Sequence, residues 1–219
     1  MFVQDCIDTS LPFIRLTDKA GYAIDLMQEY KMPALAVVND GVFTGSITEN
    51  QLLEVDDLCL IESLQEDLIR DSLKEGTHLF DVIKKTSEQA SYFMPVVNSE
   101  KEYIGITTPQ KILNTLALHS SFMSGGGIIV LELETKDYSL TEISRIVESN
   151  GAMILHCMVA TSVNQHQMQV SLKVNKNDLK DIQLAFERYR YTVLAVLHQS
   201  EYEMQLKERY DSLMRYLEV

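Results

Sequence analysis

Histidine, cysteine and paired carboxylates carry most protein chemistry, and this sequence spaces them widely. Cys6, Cys59 and Cys157 are scattered, and no two stand at the short interval of a metal-ligand pair. His156 and His166 flank a predicted hairpin and are expected to face each other. Cys157 alternates to the opposite face of that strand, so two ligands converge, too few for zinc. His78, His119 and His198 are isolated. The acidic run Glu54-Val55-Asp56-Asp57, with Glu62, Glu66 and Asp67 beyond it, lacks the glycine and alternating ligands of a calcium loop. It reads as a solvated helix face. Gly125-Gly126-Gly127 has no following Lys-Ser/Thr with which to cradle a phosphate. No Ser-His-Asp frame, nucleophile elbow, catalytic carboxylate pair or dinucleotide fingerprint occurs. A non-enzymatic protein without a metal is expected.

Two threonines remain, each closing a similar phrase. Gly45-Ser46-Ile47-Thr48 is followed by Gln51, and Gly105-Ile106-Thr107-Thr108 by Lys111. As residues alone, both threonines end a strand and cap the next helix. The surrounding elements repeat as well. Val37-Val38-Asn39 precedes the first phrase and Val96-Val97-Asn98 the second, with one residue inserted in the second turn. The first unit reads as a helix over 18–30, with Ala20, Ile24 and Met27 at helical spacing and Thr17 or Asp18 as cap. Strands Ala34–Asn39 and Val42–Ile47 follow, joined by the turn Asn39-Asp40-Gly41. In the second unit a helix begins near Leu79, and the strands are Met94–Asn98 and Tyr103–Thr107.

A small, flexible stretch from Ser120 to Gly127 reads as a linker. Beyond it come a strand Ile128–Glu134, a helix Leu140–Asn150 with Ile143, Ile146 and Val147 on one face, and strands Ala152–Ala160 and Met168–Val174. A polar turn, Thr161 to Gln167, joins those strands; a helix Asp178–Tyr189 and a strand Thr192–Leu197 close the region. The order β-α-β-β-α-β predicts a ferredoxin-like sandwich. The tail, 199–219, is amphipathic, with a seam of Leu206, Tyr210, Leu213 and Leu217 that packs on its own domain or makes a dimer contact.

Composition narrows the partners. The 219 residues are 46% hydrophobic and 23% charged with only 4 Pro, which excludes collagen-like and disordered classes. A formal net charge of −13 opposes binding to nucleic acid or to an anionic membrane. No apolar run is long enough to span a bilayer, and the start has no basic segment leading into a long apolar one. With sparse, odd cysteines, a cytoplasmic protein is expected.

The repeat resembles a tandem pair of CBS (cystathionine-β-synthase-type) domains. The resemblance rests on the strand entered at Met94-Pro95-Val96-Val97, the turn, and the strand ending in Gly-x-x-Thr; Ala36 stands where the second copy has Pro95. The C-terminal region is similar to an ACT regulatory domain. The expected class is α+β (mixed α/β): a CBS pair over 1–119 (repeats 1–58 and 59–119), a linker 120–127, an ACT-like domain 128–198 and a helix 199–219. The first resemblance implies clefts that bind an adenine nucleotide (AMP, ADP or ATP) or S-adenosylmethionine. In the family pattern Gly-x-x-Thr/Ser-x-x-Asp the hydroxyl reaches phosphate and the Asp binds ribose. Here Thr48 and Thr108 are present, but the Asp positions hold Gln51 and Lys111. Gln51 is left to bond ribose without charge assistance, and Lys111 to meet a phosphate. The ACT resemblance implies a free amino acid against exposed backbone N–H groups, with Ser139 where the pattern has Gly and Asn150-Gly151 at the other turn, which also suits a helix C-cap. The function implied is a regulatory sensor that signals through domain or dimer packing, with a homodimer, a small-molecule effector and an unidentified protein partner. The alternatives are a ligand-free dimerisation scaffold with degenerate clefts, and an amino-acid-responsive ACT regulator.

Overall fold

The computed structural model describes residues 1–88, 92–119, 121–161 and 166–198, with residues 212 and 214. The chain is a mixed α/β protein of two compact units, Met1–Leu116 and Ala117–Val219.

The first unit holds two three-stranded sheets of the same plan. One comprises β1 (Phe13–Ile14), β2 (Ala34–Asn39) and β3 (Val42–Thr48); the other β4 (Leu73–Lys74), β5 (Met94–Val97) and β6 (Tyr103–Thr107). In each, the first strand runs parallel to the second and the last two form an antiparallel hairpin. Ile14 pairs with Val37 as Leu73 pairs with Val96, and those valines face Gly45 and Gly105. Both hairpins then shift register at the same place, after Val37 and after Val96. The sequence repeat is therefore a structural repeat. Its inserted residue lies in the turn. Asp40 (φ 48°) and Gly41 (φ 82°) close a tight first turn, whereas the longer second one puts Lys101 at φ 65°.

The helices are α1 (Ala20–Tyr30), α2 (Glu49–Leu53), α3 (Leu79–Glu88) and α4 (Pro109–His119). α1 buries Ala20, Ala23 and Met27, but neither predicted cap holds its start. Lys19 occupies the cap position, and the Asp18 carboxylate accepts the Arg15 N–H at 2.7 Å in the preceding turn. The acidic run differs too. Ile61–Asp67 is a 3-10 helix whose Ile61 is buried in the first core, not one face of a solvated α-helix.

Each sheet is closed by the segment that leads into the other repeat. Ser46 N–H donates to the Ile69 carbonyl at 2.7 Å, and Ile69 N–H returns to Ser46 at 2.9 Å. Asp8 and Ile106 exchange the matching pair at 2.7 and 3.1 Å. The hairpins also meet reciprocally, Phe43 N–H to Lys101 at 3.0 Å and Tyr103 N–H to Gly41 at 2.8 Å. The cores follow this exchange: Leu68, Phe93 and Ile106 join the core under β1–β3, while Val3 and Cys6 join Leu73, Met94 and Val96.

The second unit runs β7 (Gly127–Glu134), α5 (Leu140–Ser149), β8 (Ile154–Thr161), β9 (Gln167–Val174), α6 (Lys180–Arg188) and β10 (Thr192–Leu197). Its sheet has the order β10-β7-β9-β8, antiparallel throughout. Ile143, Ile146, Ile182 and Phe186 from the helices are buried with Ile129, Leu131, Val170 and Leu172. This is the ferredoxin-like arrangement. Before it, Ser121–Met123 forms a 3-10 turn fastened by the Ser121 hydroxyl to the Leu155 carbonyl at 2.8 Å and by Lys173 Nζ to the Phe122 carbonyl at 2.9 Å. A Cβ on Gly126 would overlap the Val174 carbonyl, which explains glycine there. The expected pairing of His156 with His166 does not form. His156 sits opposite Lys173 at the start of β8 with its ring 4.6 Å from Phe122, while His166 lies at the turn end of β9. The seam of Leu206, Tyr210, Leu213 and Leu217 and the linker position Ser120 lie outside the described residues.

Candidate functional site

Thr48 is the last residue of β3 and the cap of α2. Its hydroxyl accepts the Gln51 N–H at 3.4 Å and donates to Gln51 Oε1 at 2.8 Å, and Gln51 Oε1 also accepts the Thr48 N–H at 2.9 Å. That reciprocal arrangement is a capping box. Gln51 Nε2 then donates to the Asp67 carbonyl at 2.7 Å, so the amide ties α2 to the crossing segment. Thr108 caps α4 by accepting the Lys111 N–H at 3.1 Å.

Between the repeats, beside Thr48, lies a cleft of about 520 Å³. Strand register makes the space. Ala34 pairs with Thr48 and Ala36 with Ser46, small side chains where Leu35 and Ile47 occupy the core. Ile69 and Asp71 form one wall and Tyr92 to Pro95 the other, with Pro33, Glu49 and Asn50 at the rim. Ser46 is 6% exposed, and its hydroxyl has no hydrogen-bond partner. The acidic residues Glu49 and Asp71 line the cleft, and no lysine, arginine or histidine does among the described residues.

Of the four positions proposed for a nucleotide, Thr48 alone lines this cleft. Gln51 turns toward Asp67, and Thr108 and Lys111 occupy the matching end of the other repeat. Lys111 there acts on Asp8, whose carboxyl is held below its ordinary value chiefly by hydrogen bonds from Ser10, with Lys111 adding to the effect. Burial pushes the nearby Cys6 thiol up, against the Thr107 hydroxyl and Lys111. Sequence reasoning missed Ser46, Asp71 and Tyr92. Ser46 stands inside the Gly-x-x-Thr phrase itself, whereas Asp71 and Tyr92 reach the cleft only through the exchange of segments. The T-x-x-Q spacing of Thr48 and Gln51 was the available sign of a capping box.

In the second unit the three residues proposed for an amino acid are not brought together. Ser139 caps the start of α5, accepting the Glu142 N–H at 3.3 Å. Asn150 lies at its far end, donating to the Ile146 carbonyl at 2.7 Å, and Gly151 (φ 69°) follows. Ten residues of helix set the two ends about 15 Å apart. Among the described residues, no group of three or more His, Cys, Asp or Glu is placed to hold a metal ion. No described helix is long and apolar enough to cross a membrane.

A family model, the CBS domain, matches residues 3–57. No curated protein sequence matches the chain. Among solved structures, the chain is similar to a CBS domain pair/ACT domain protein from Thermotoga maritima, at 17% identity over 54% of this chain and 98% of that one, with a TM-score of 0.49. It is similar to the CBS domains of a transcriptional regulator from Streptococcus pneumoniae, at 19% identity over 52% of this chain and 98% of that one, TM-score 0.47. CBSX2 in complex with AMP is similar at 22% identity over 53% of this chain and 96% of that one, TM-score 0.45. The CBS domain match therefore covers the first of the two structural repeats in the Met1–Leu116 unit.

Proposed function

We propose that this chain is a non-enzymatic regulatory sensor in the cytoplasm. Its first unit takes an adenosine-type ligand, an adenine nucleotide or S-adenosylmethionine, between the repeats. Binding changes the packing of repeats or protomers, and a partner protein reads the change. The observation that supports this reading is the cleft beside Thr48, built from both repeats and holding the unpartnered Ser46 hydroxyl. Thr108 and Lys111 are the proposed phosphate-side residues of the second cleft. The second unit is proposed as an ACT-like module, and titration with free amino acids tests Ser139, Asn150 and Gly151. Calorimetric titration of the full chain with AMP, ADP, ATP and S-adenosylmethionine tests the sensor. Saturable binding of at least one is expected; none binding at millimolar concentration overturns it.

One observation favours a second reading, a dimerisation scaffold with empty clefts. Gln51, at the ribose position of the pattern, is engaged in the capping box through its oxygen and with the Asp67 carbonyl through its nitrogen. A homodimer is proposed under both readings. Its support is an apolar groove of about 570 Å³ between α3 and α4, where Leu113 and Ile83 are exposed. Light scattering should give twice the 25.0 kDa chain mass. A monomer at high micromolar concentration overturns the dimer.

A further inference from the structure

The two repeats share a backbone plan but differ in charge at their matching ends, Gln51 standing in one where Lys111 stands in the other. We propose that the cleft beside Thr48 selects an uncharged or positively charged nucleoside and rejects its phosphorylated forms, which are left to the end that carries Lys111. This rests on the reading of the first unit as a nucleoside sensor.

Three observations support it. First, the fixed charges lining the cleft are Glu49 and Asp71, with no base among the described residues. Arg70, between Ile69 and Asp71, is directed elsewhere, its guanidinium reaching the Gln65 carbonyl at 3.5 Å. Second, the backbone offers a phosphate little. At the start of α2 the Glu49 N–H is held by the Pro33 carbonyl at 2.9 Å, and the Gln51 N–H by Thr48 Oγ1. Third, among the residues that line the cleft, Ser46 carries a buried hydroxyl without a partner, a neutral group that donates and accepts. Its counterpart in the second repeat is Ile106, so at this position the hydroxyl belongs to the first repeat. Phe93 and Pro95 supply apolar wall suited to a planar base. At the other end Lys111 sets a cation beside the Asp8 carboxylate, where the Thr48 cleft is lined by no base among the described residues.

Carboxylates at several ångströms in a water-like dielectric each change the affinity of a unit charge roughly threefold at low salt, and screening removes much of that. S-adenosylmethionine and S-adenosylhomocysteine differ in one methyl group and the sulfonium charge, so the pair isolates charge from shape. Calorimetry on the full chain at low salt should give S-adenosylmethionine the tighter binding by roughly threefold to tenfold. The preference should collapse in the Glu49→Gln/Asp71→Asn double variant and in high salt. Ser46→Ala should weaken both ligands equally. In Lys111→Ala, adenosine should bind as before while AMP and ATP weaken. Equal binding of the two sulfur ligands, or AMP binding tighter than adenosine in Lys111→Ala, overturns this inference and leaves the sensor reading standing. If no nucleoside or nucleotide binds the unaltered chain, the sensor reading fails, and this inference fails with it.

Discussion

Gly45 and Leu68 come from different repeats, and a Cβ on the glycine would stand 2.6 Å from the leucine Cβ, closer than packed carbons approach. The other glycine of the repeat is in the same position. A Cβ on Gly105 would meet Ile7 Cγ2 at 2.6 Å and the Asp8 carbonyl at 2.9 Å. Glycine in each Gly-x-x-Thr phrase thus lets a crossing segment lie flat on the hairpin. Gly45→Ala and Gly105→Ala should each destabilise the first unit by about 1–3 kcal/mol. Urea denaturation measures this, and an unchanged midpoint in either variant would show that the crossing segment yields.

Gln51 is a structural residue before it is a ligand residue. Its oxygen holds Thr48 and its nitrogen holds the Asp67 carbonyl. Gln51→Ala should cost about 1–2 kcal/mol of stability in the absence of any ligand, by loss of the cap. Thr48→Ala should cost a similar amount, and the two losses should sum to less than full additivity, because both variants break the bond between the Thr48 hydroxyl and Gln51 Oε1. Additive losses in thermal or urea unfolding would count against the reciprocal box.

Tyr103 predicts the behaviour at high pH. Burial pushes its phenol up to about 12, with Asp8 acting the same way, and its hydroxyl has no partner. A folded pKa above the unfolded one contributes stability that is complete below the ordinary value near 10 and is lost as pH rises toward 12. Alkaline unfolding of the first unit is expected in that window. Tyr103→Phe removes the ionisation and should move the transition to higher pH while leaving stability at neutral pH equal or slightly greater. Circular dichroism across the window follows it; an unmoved transition would assign the unfolding to another group.

The three thiols should react in a fixed order. Cys6 is fully buried and Cys157 half-buried, and burial pushes both thiols up. Cys59 is half-buried on the segment after α2, with Ser63 Oγ 2.9 Å from its sulfur. Alkylation at neutral pH should label Cys59 first and Cys6 last, since attack needs thiolate and access together. Peptide mapping at short times checks this, and early labelling of Cys6 would mean that the second-repeat core opens.

The repeat was legible because its signals are local. The apolar runs around Val37 and Val96, the Asn39-Asp40-Gly41 turn and the paired Gly-x-x-Thr phrases all lie within short windows. The β-α-β-β-α-β order was legible for the same reason. The helix start at Ala20 was not, because Asp18 found the Arg15 N–H instead of the helix. The cleft was the least legible part. Asp71 and Tyr92 line the same cleft as Ser46, whose partner Ile69 comes from the crossing segment, and no local pattern encodes that choice of partner. His156 misled for a related reason: strand register sets it opposite Lys173, away from the turn.

The exchange of segments also fixes an order of events when the chain is made. Asp8 emerges early, yet its hydrogen-bond partner Ile106 lies near the end of the first unit. Val3 and Cys6 must wait equally long for Leu73, Met94 and Val96. Until then a nascent first repeat has its own hairpin but no place for its leading residues. Such long-range closure is slow relative to local structure. The two repeats should therefore become stable together, as one cooperative body, and the 3–57 stretch that matches a domain in sequence is expected not to fold when cut free.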